Sequence, residues 1–214
     1  MPDQAKFKRT SIMLFGDSLP FAQLGAGKSD QLSPHILRAL KIHPGLGIYN
    51  LSIRGNTFPK LSKQISAEFG PRVRDGEIAV IWCGINDSAR LPGKTRPLVT
   101  TEEDFRAAVL RCLDFFPETV PVFVLGLHHV NERRSRITPW GWEYTNESID
   151  RCNRDLETLS TRPGHNTVFV RTQNVIRPPH LMPDGIHLLP FAYREVAAAL
   201  VHAMRESVKR MCRI

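Results

Sequence analysis

The sequence predicts a three-layer α/β sandwich in a single domain: a parallel sheet of about five strands with helices on both faces. Apolar runs of strand length alternate with helix-period patterns along the whole chain, which requires crossover connections between parallel strands. The runs are continuously apolar rather than alternating in polarity, as in strands buried on both faces. Polar, glycine-containing segments follow the first three runs, and ligands of open parallel sheets sit at the strand C-termini.

Residues 11–15 (SIMLF) are the first strand, ended by Gly16. Residues 32–42 carry Leu32, Ile36, Leu37 and Leu40 at helical spacing, with Ser33-Pro34 suited to a helix start. Residues 48–53 read as the second strand. Leu61, Ile65 and Phe69 then form an i, i+4, i+8 stripe on a helix closed by Gly70-Pro71. Ile78–Trp82 is the third and most apolar strand. A helix over 102–116 is begun by Thr100-Thr101, has acids in its first turn and ends at Pro117. Residues 120–127 form a fourth strand, 146–159 a helix and 168–171 a short fifth strand. Val196, Leu200, Met204 and Val208 line a last helix that packs on the sheet.

At 214 residues, with 42% hydrophobic and 23% charged, the chain can bury one sizeable core and is not of disordered type. No apolar run approaches the roughly 18–20 residues of a membrane span. No signal-peptide core follows the basic N-terminus, so a cytoplasmic protein is expected. Cys83, Cys112, Cys152 and Cys212 are scattered without CxxC spacing, the pattern of free thiols rather than of zinc or a redox pair. The net charge of +8 is spread along the chain apart from 133–136 and 209–213. No aromatic-interleaved basic motif accompanies it, so a solvated basic surface is expected rather than a nucleic-acid partner. None of these patterns encodes an oligomeric state.

The chemistry gathers at the strand ends. Ser18 lies in Gly16-Asp17-Ser18-Leu19 after the first strand, and Asp184-Gly185-Ile186-His187 lies near the other end of the chain. Acyl transfer through serine needs a nucleophile, a base for its proton and a carboxylate to orient that base. An Asp three residues before a His supplies the last two from one turn. Arg54-Gly55-Asn56 follows the second strand, and Gly84-Ile85-Asn86-Asp87 follows the third. Asp17 is read as a capping residue with no catalytic role.

With these four blocks in order, the chain resembles the SGNH (GDSL-type) hydrolases. The family's blocks are a GDS(L) serine, a Gly after strand two, a GxND segment after strand three and a C-terminal DxxH. The resemblance implies a flavodoxin-like sheet and a serine ester hydrolase that needs no cofactor and no metal. It casts Ser18 as nucleophile, His187 as general base and Asp184 as the carboxylate that holds the imidazole. The Ser18 and Gly55 backbone N–H groups and the Asn86 amide are cast as the oxyanion hole. Physical chemistry agrees: Gly leaves its N–H accessible, and Asn donates without carrying charge. The chain departs from many relatives in delaying the proline after the DxxH histidine to Pro190. It also lacks the second Gly of a G-x-S-x-G elbow, which argues against the α/β-hydrolase fold.

The implied substrate is a small-molecule or glycan ester. With no long apolar lid segment, short-acyl esters such as acetylated carbohydrate are favoured over long-chain triglycerides. Lysophospholipase or thioesterase activity on longer chains is the alternative. A non-catalytic binding module of the same fold would lack a triad or oxyanion residue, and none is missing.

Rival signals are weaker. Residues 22–29 (AQLGAGKS) fit a relaxed P-loop, but six residues separate them from the first strand and no helix follows directly. His128-His129 ends the fourth strand. Neighbours on a strand point oppositely, which disfavours a shared metal but allows one, His128 by preference, to contact substrate. Residues 131–144 intersperse Arg133, Arg134 and Arg136 with Trp140, Trp142 and Tyr144. Trp140 and Trp142 either line a substrate pocket or clamp the loop over the core.

Overall fold

The computed structural model describes residues 10–21, 32–40, 46–69, 78–93, 98–135, 138–139 and 141–212. Five parallel strands, β1 (Thr10–Gly16), β2 (Leu46–Asn50), β3 (Ile78–Trp82), β4 (Val122–Leu125) and β5 (Thr167–Val170), form one sheet in the order β2-β1-β3-β4-β5. The strand order reverses next to β1. Right-handed crossovers therefore place the helices before and after that reversal on opposite faces. In the helical layers, α2 (Leu32–Ala39) packs on α7 (Ala192–Cys212), and α3 (Phe58–Phe69), α4 (Glu102–Asp114) and α6 (Asn146–Ser160) pack in a row. Two single-turn helices, α1 (Ser18–Phe21) and α5 (Glu132–Ser135), lie on the rim.

The local causes are the expected ones. β3 matches its apolar run, and all five of its residues are buried. Thr101 caps α4 by accepting from the Asp104 N–H, with Glu102, Glu103 and Asp104 in the first turn facing the positive end of the dipole. Thr145 caps α6 in the same way through the Ser148 N–H. Leu61 and Ile65 of α3, and Val196, Leu200 and Met204 of α7, are buried as their spacing requires. Among the described residues no helix is long and apolar enough to cross a membrane. Cys83, Cys112 and Cys152 are free and buried, and burial pushes the Cys152 thiol up to about 12.

Three strand boundaries differ from the pattern. β2 spans Leu46–Asn50 rather than 48–53. The Asn50 side chain accepts from the Ser52 N–H and bends the chain, although Leu51 and Ile53 still donate to Leu14 and Gly16 of β1. β4 spans Val122–Leu125 rather than 120–127, starting after Pro121, which has no N–H for the ladder. β5 lies one residue earlier, at Thr167–Val170, and is half-exposed as an edge strand. The proposed Gly70-Pro71 stop and the 22–29 segment lie outside the described residues.

Gly16 is required sterically. A Cβ there would lie 2.2 Å from the Trp82 carbonyl oxygen and 2.6 Å from Pro20 Cγ. The close approach of β1 to β3 brings the loops that carry Ser18 and Asn86 together at the point where strand order reverses. This is the crevice that such sheets use for ligands.

Candidate active site

Ser18 is the first residue of α1, immediately beyond β1. As the first N–H of a helix, its backbone donor has no carbonyl partner within that helix. The preceding Asp17 turns inward and accepts from the Leu19 N–H at 2.9 Å. Asp17 is fully buried, and burial, with the Asp87 carboxylate adding to it, raises its carboxyl to about 7. The reading of Asp17 as a cap agrees with this hydrogen bond.

His187 reaches Ser18 across 169 residues of sequence: Ser18 Oγ and His187 Nε2 are 2.9 Å apart. On the other side of the ring, Nδ1 lies 2.6 Å from Asp184 Oδ2. Asp184 Oδ1 accepts from the backbone N–H groups of Ile186 (2.9 Å) and His187 (3.0 Å). Burial alone would raise the Asp184 carboxyl, but the His187 ring and these N–H groups outweigh it and hold the group below the ordinary range. An ionised carboxylate only accepts, so Nδ1 carries the proton and the Nε2 lone pair faces the hydroxyl.

The late proline has a structural reason. Leu181 and Leu188 form an antiparallel bridge, Met182 N–H donates to the His187 carbonyl, and Leu189 N–H donates to His180. The two residues before Pro190 thus close a small hairpin whose tip is the Asp184–His187 turn. His128 supports that tip from below. It is wholly buried, and its Nε2 donates to the Ile186 carbonyl at 2.7 Å. Burial lowers it to about 4, so it is neutral at ordinary pH. This corrects the expectation of substrate contact: the ring lies beneath the rim, with no surface open to the cleft. The neighbouring His129 turns away to Asp150 at 2.8 Å.

Gly55 and Asn86 flank Ser18. Gly55 has φ +71°, a left-handed conformation that side chains resist, and it faces the cleft. Asn86 Nδ2 donates to the Asn56 carbonyl at 2.8 Å, which leaves its second N–H available. Its Oδ1 accepts from the Tyr144 hydroxyl at 3.5 Å. The next residue, Asp87, points into the core and accepts from the Phe58 N–H at the start of α3 (3.0 Å to Oδ2). Burial raises it to about 6 against the opposing Thr100 and Phe58 hydrogen bonds.

The cleft above Ser18 and His187 encloses about 410 Å³ and is walled by Ile85, Ile186, Trp142, Tyr144 and Arg54. The described residues of the 131–144 segment bear on both alternatives. The segment is tied down by reciprocal backbone bonds between Arg90 and Glu143, and it presents Trp142 and Tyr144 to the cleft. Trp140 and Arg136 lie outside the described residues. Sequence reasoning did not single out Arg54, whose guanidinium carbon is 4.8 Å from the Phe21 ring centroid, or Asn56, which orients Asn86. Their adjacency to Gly55 was the available signal.

No family model and no curated protein matches this sequence. Solved structures do match its fold. A lipase/acylhydrolase from Enterococcus faecalis superposes with a TM-score of 0.71 at 18% identity, covering 92% of this chain and 96% of that one. A family 3 carbohydrate esterase from Clostridium thermocellum gives 0.69 at 19% identity, covering 95% and 99%. A carbohydrate acetylesterase from Sinorhizobium meliloti gives 0.69 at 14% identity, covering 92% and 99%. At these identities the likeness establishes a shared three-layer α/β fold over nearly the whole chain.

Proposed function

We propose that this chain is an SGNH-type serine ester hydrolase that forms an acyl-enzyme on Ser18 and acts on short-acyl esters, acetylated carbohydrate in particular. One observation carries the reading: the unbroken Ser18–His187–Asp184 chain, with spacings of 2.9 and 2.6 Å, opens at the base of a cleft. In this reading Ser18 Oγ attacks the ester carbonyl carbon as His187 Nε2 takes its proton. Asp184 holds the ring and stabilises the imidazolium. Negative charge develops on the carbonyl oxygen, where the Ser18 N–H, the Gly55 N–H and the second Asn86 N–H are available as donors. Collapse expels the alcohol, which takes the proton back from His187. Water activated by the same ring then attacks the acyl-serine and releases the acid. The carbohydrate esterases among the structural neighbours support the substrate class, as does the modest size of the cleft.

A fluorophosphonate probe tests the nucleophile, because only an activated hydroxyl reacts appreciably. The label is expected on Ser18 alone, and hydrolysis of 4-nitrophenyl esters is expected to fall as the acyl chain lengthens. Active protein labelled on another residue would remove Ser18 from its role. A rate that rises steadily to long chains would overturn the short-acyl reading.

A further inference from the structure

A second cavity, of about 460 Å³, adjoins the cleft and shares two walls with it, Gly55 and Trp142. Both volumes fall within the range of small-molecule sites. The two spaces differ in the charged groups they carry. On the Ser18 side, Ile85, Ile186 and Tyr144 offer mainly apolar surface, suited to a short acyl group. Beyond Trp142, Pro59 and Val99 give part of the wall an apolar surface, but the buried Thr57 and Thr100 stand there with three charged groups, Lys60, Arg111 and Asp104. Asp104 is engaged at its own helix start, where its carboxylate accepts from the Thr101 hydroxyl at 2.7 Å. Among the described residues neither Lys60 nor Arg111 belongs to an ion pair. Arg54 adds a third cation where the cleft opens.

We propose that the cavity beyond Trp142 is a subsite for the alcohol half of the ester, and that Lys60 and Arg111 select an alcohol bearing a negative charge, a sugar acid or a sugar phosphate. The inference rests on the ester-hydrolase reading and adds to it the charge of the leaving group. A substrate whose carbonyl sits against Gly55 extends past Trp142, where an indole face packs on a sugar ring and threonine hydroxyls can bond sugar hydroxyls. Two unpaired cations against one engaged carboxylate give that space a positive field, which favours an anionic group and disfavours a cationic one.

The experiment compares three O-acetyl esters: of a uronic acid, of a hexose phosphate, and of the uncharged uronamide, with acetate release as the readout. The wild type is expected to show a higher kcat/KM for at least one anion than for the uronamide. The advantage should be about five- to tenfold, a size that two exposed ion pairs can support, and should shrink as salt rises. Whichever anion leads identifies the source. In the K60M/R111M double variant, the ratio of anionic to neutral kcat/KM is expected to collapse toward one. Equal turnover of all three by a wild type whose Ser18 takes the fluorophosphonate overturns the subsite and leaves the hydrolase reading intact. No turnover and no label overturns both. A preference that survives in the double variant also overturns the assignment to Lys60 and Arg111.

Discussion

Two regions around the cleft treat their carboxylates in opposite ways. At the Asp184–His187 turn, one half-buried carboxylate accepts three N–H donors, two from backbone and one from the ring, and is held below its ordinary range. Beneath the rim where β1 and β3 end, Asp17 and Asp87 also accept hydrogen bonds, but they are buried far more deeply, and desolvation outweighs those bonds and pushes them up to about 7 and about 6. The count of donors against the depth of burial decides the sign. The sequence neighbours follow the same division. Ser18 and Asn86 face the cleft, whereas Asp17 and Asp87 beside them turn into the core and hold α1 and α3. One region holds a charged carboxylate against an imidazole beside the cleft, and the other uses carboxyls as hydrogen-bond acceptors inside the fold.

The largest effect that this contrast implies is at Asp184. Asp184→Asn keeps the shape but replaces an acceptor-only group with one that can donate to Nδ1, which favours the wrong tautomer of His187. Loss of about 10⁴-fold in kcat is expected, with folding retained. Steady-state kinetics beside a thermal melt checks it, and a variant that keeps most of its kcat would break the distinction between the two regions.

Asn86 comes next and tests the rim from the cleft side. If its free N–H donates to the oxyanion, Asn86→Ala lowers kcat by about 10²–10³ with little change in KM. Asn86→Asp keeps the size and turn preference but places an acceptor at the developing charge, so it is expected to fold nearly as well yet be at least as inactive. An Asn86→Asp variant that kept its turnover would leave only the Ser18 and Gly55 backbone donors. A large fall in melting temperature with activity kept would mark Asn86 as a turn residue alone.

Much of this was legible because the signals were local. A short, β-branched apolar run such as Ile78–Trp82 has the length of a buried strand, and Thr101 before three acids marks a helix start. Ser18, Asp184 and His187 stood out because each belongs to a short motif, and the structure brings the three within hydrogen-bond distance. His128 was misjudged because sequence places a residue on a rim but not above or below it. Its burial depends on the Asp184–His187 hairpin, formed by residues more than fifty positions later. Tyr144 and Asn56 orient Asn86 through contacts 58 and 30 residues apart, which no local pattern carries. The cavity with Lys60 and Arg111 likewise arises where the start of α3 meets the end of α4, a packing that periodicity does not specify.

The smallest expected effect is on stability, and it sharpens the comparison by sign. Asp17 has a folded-state value near 7 against an ordinary 3.8, so between those values the folded chain holds a proton that the unfolded chain has released. Its contribution is therefore full below about pH 4 and is lost as pH rises through 7. Asp17→Asn keeps an oxygen for the Leu19 N–H and removes the titration. The variant is thus expected to gain on the wild type as pH rises from 4 to 8, by at most about 4 kcal/mol. Asp184 runs the other way. Its lowered value contributes stability that is complete above about pH 4 and lost in acid, so Asp184→Asn is expected to lose on the wild type as pH rises from strong acid to about 4, and to hold level above it. Urea midpoints for the three proteins across pH 2–8 read both signs, Asp184 below about pH 4 and Asp17 between about 4 and 7. Difference curves that slope in opposite directions support two carboxylate regions with opposite roles. A flat curve for Asp17→Asn would mean that Asp17 is charged in the fold and satisfied by donors as Asp184 is, and the contrast would then fail on the side of the rim.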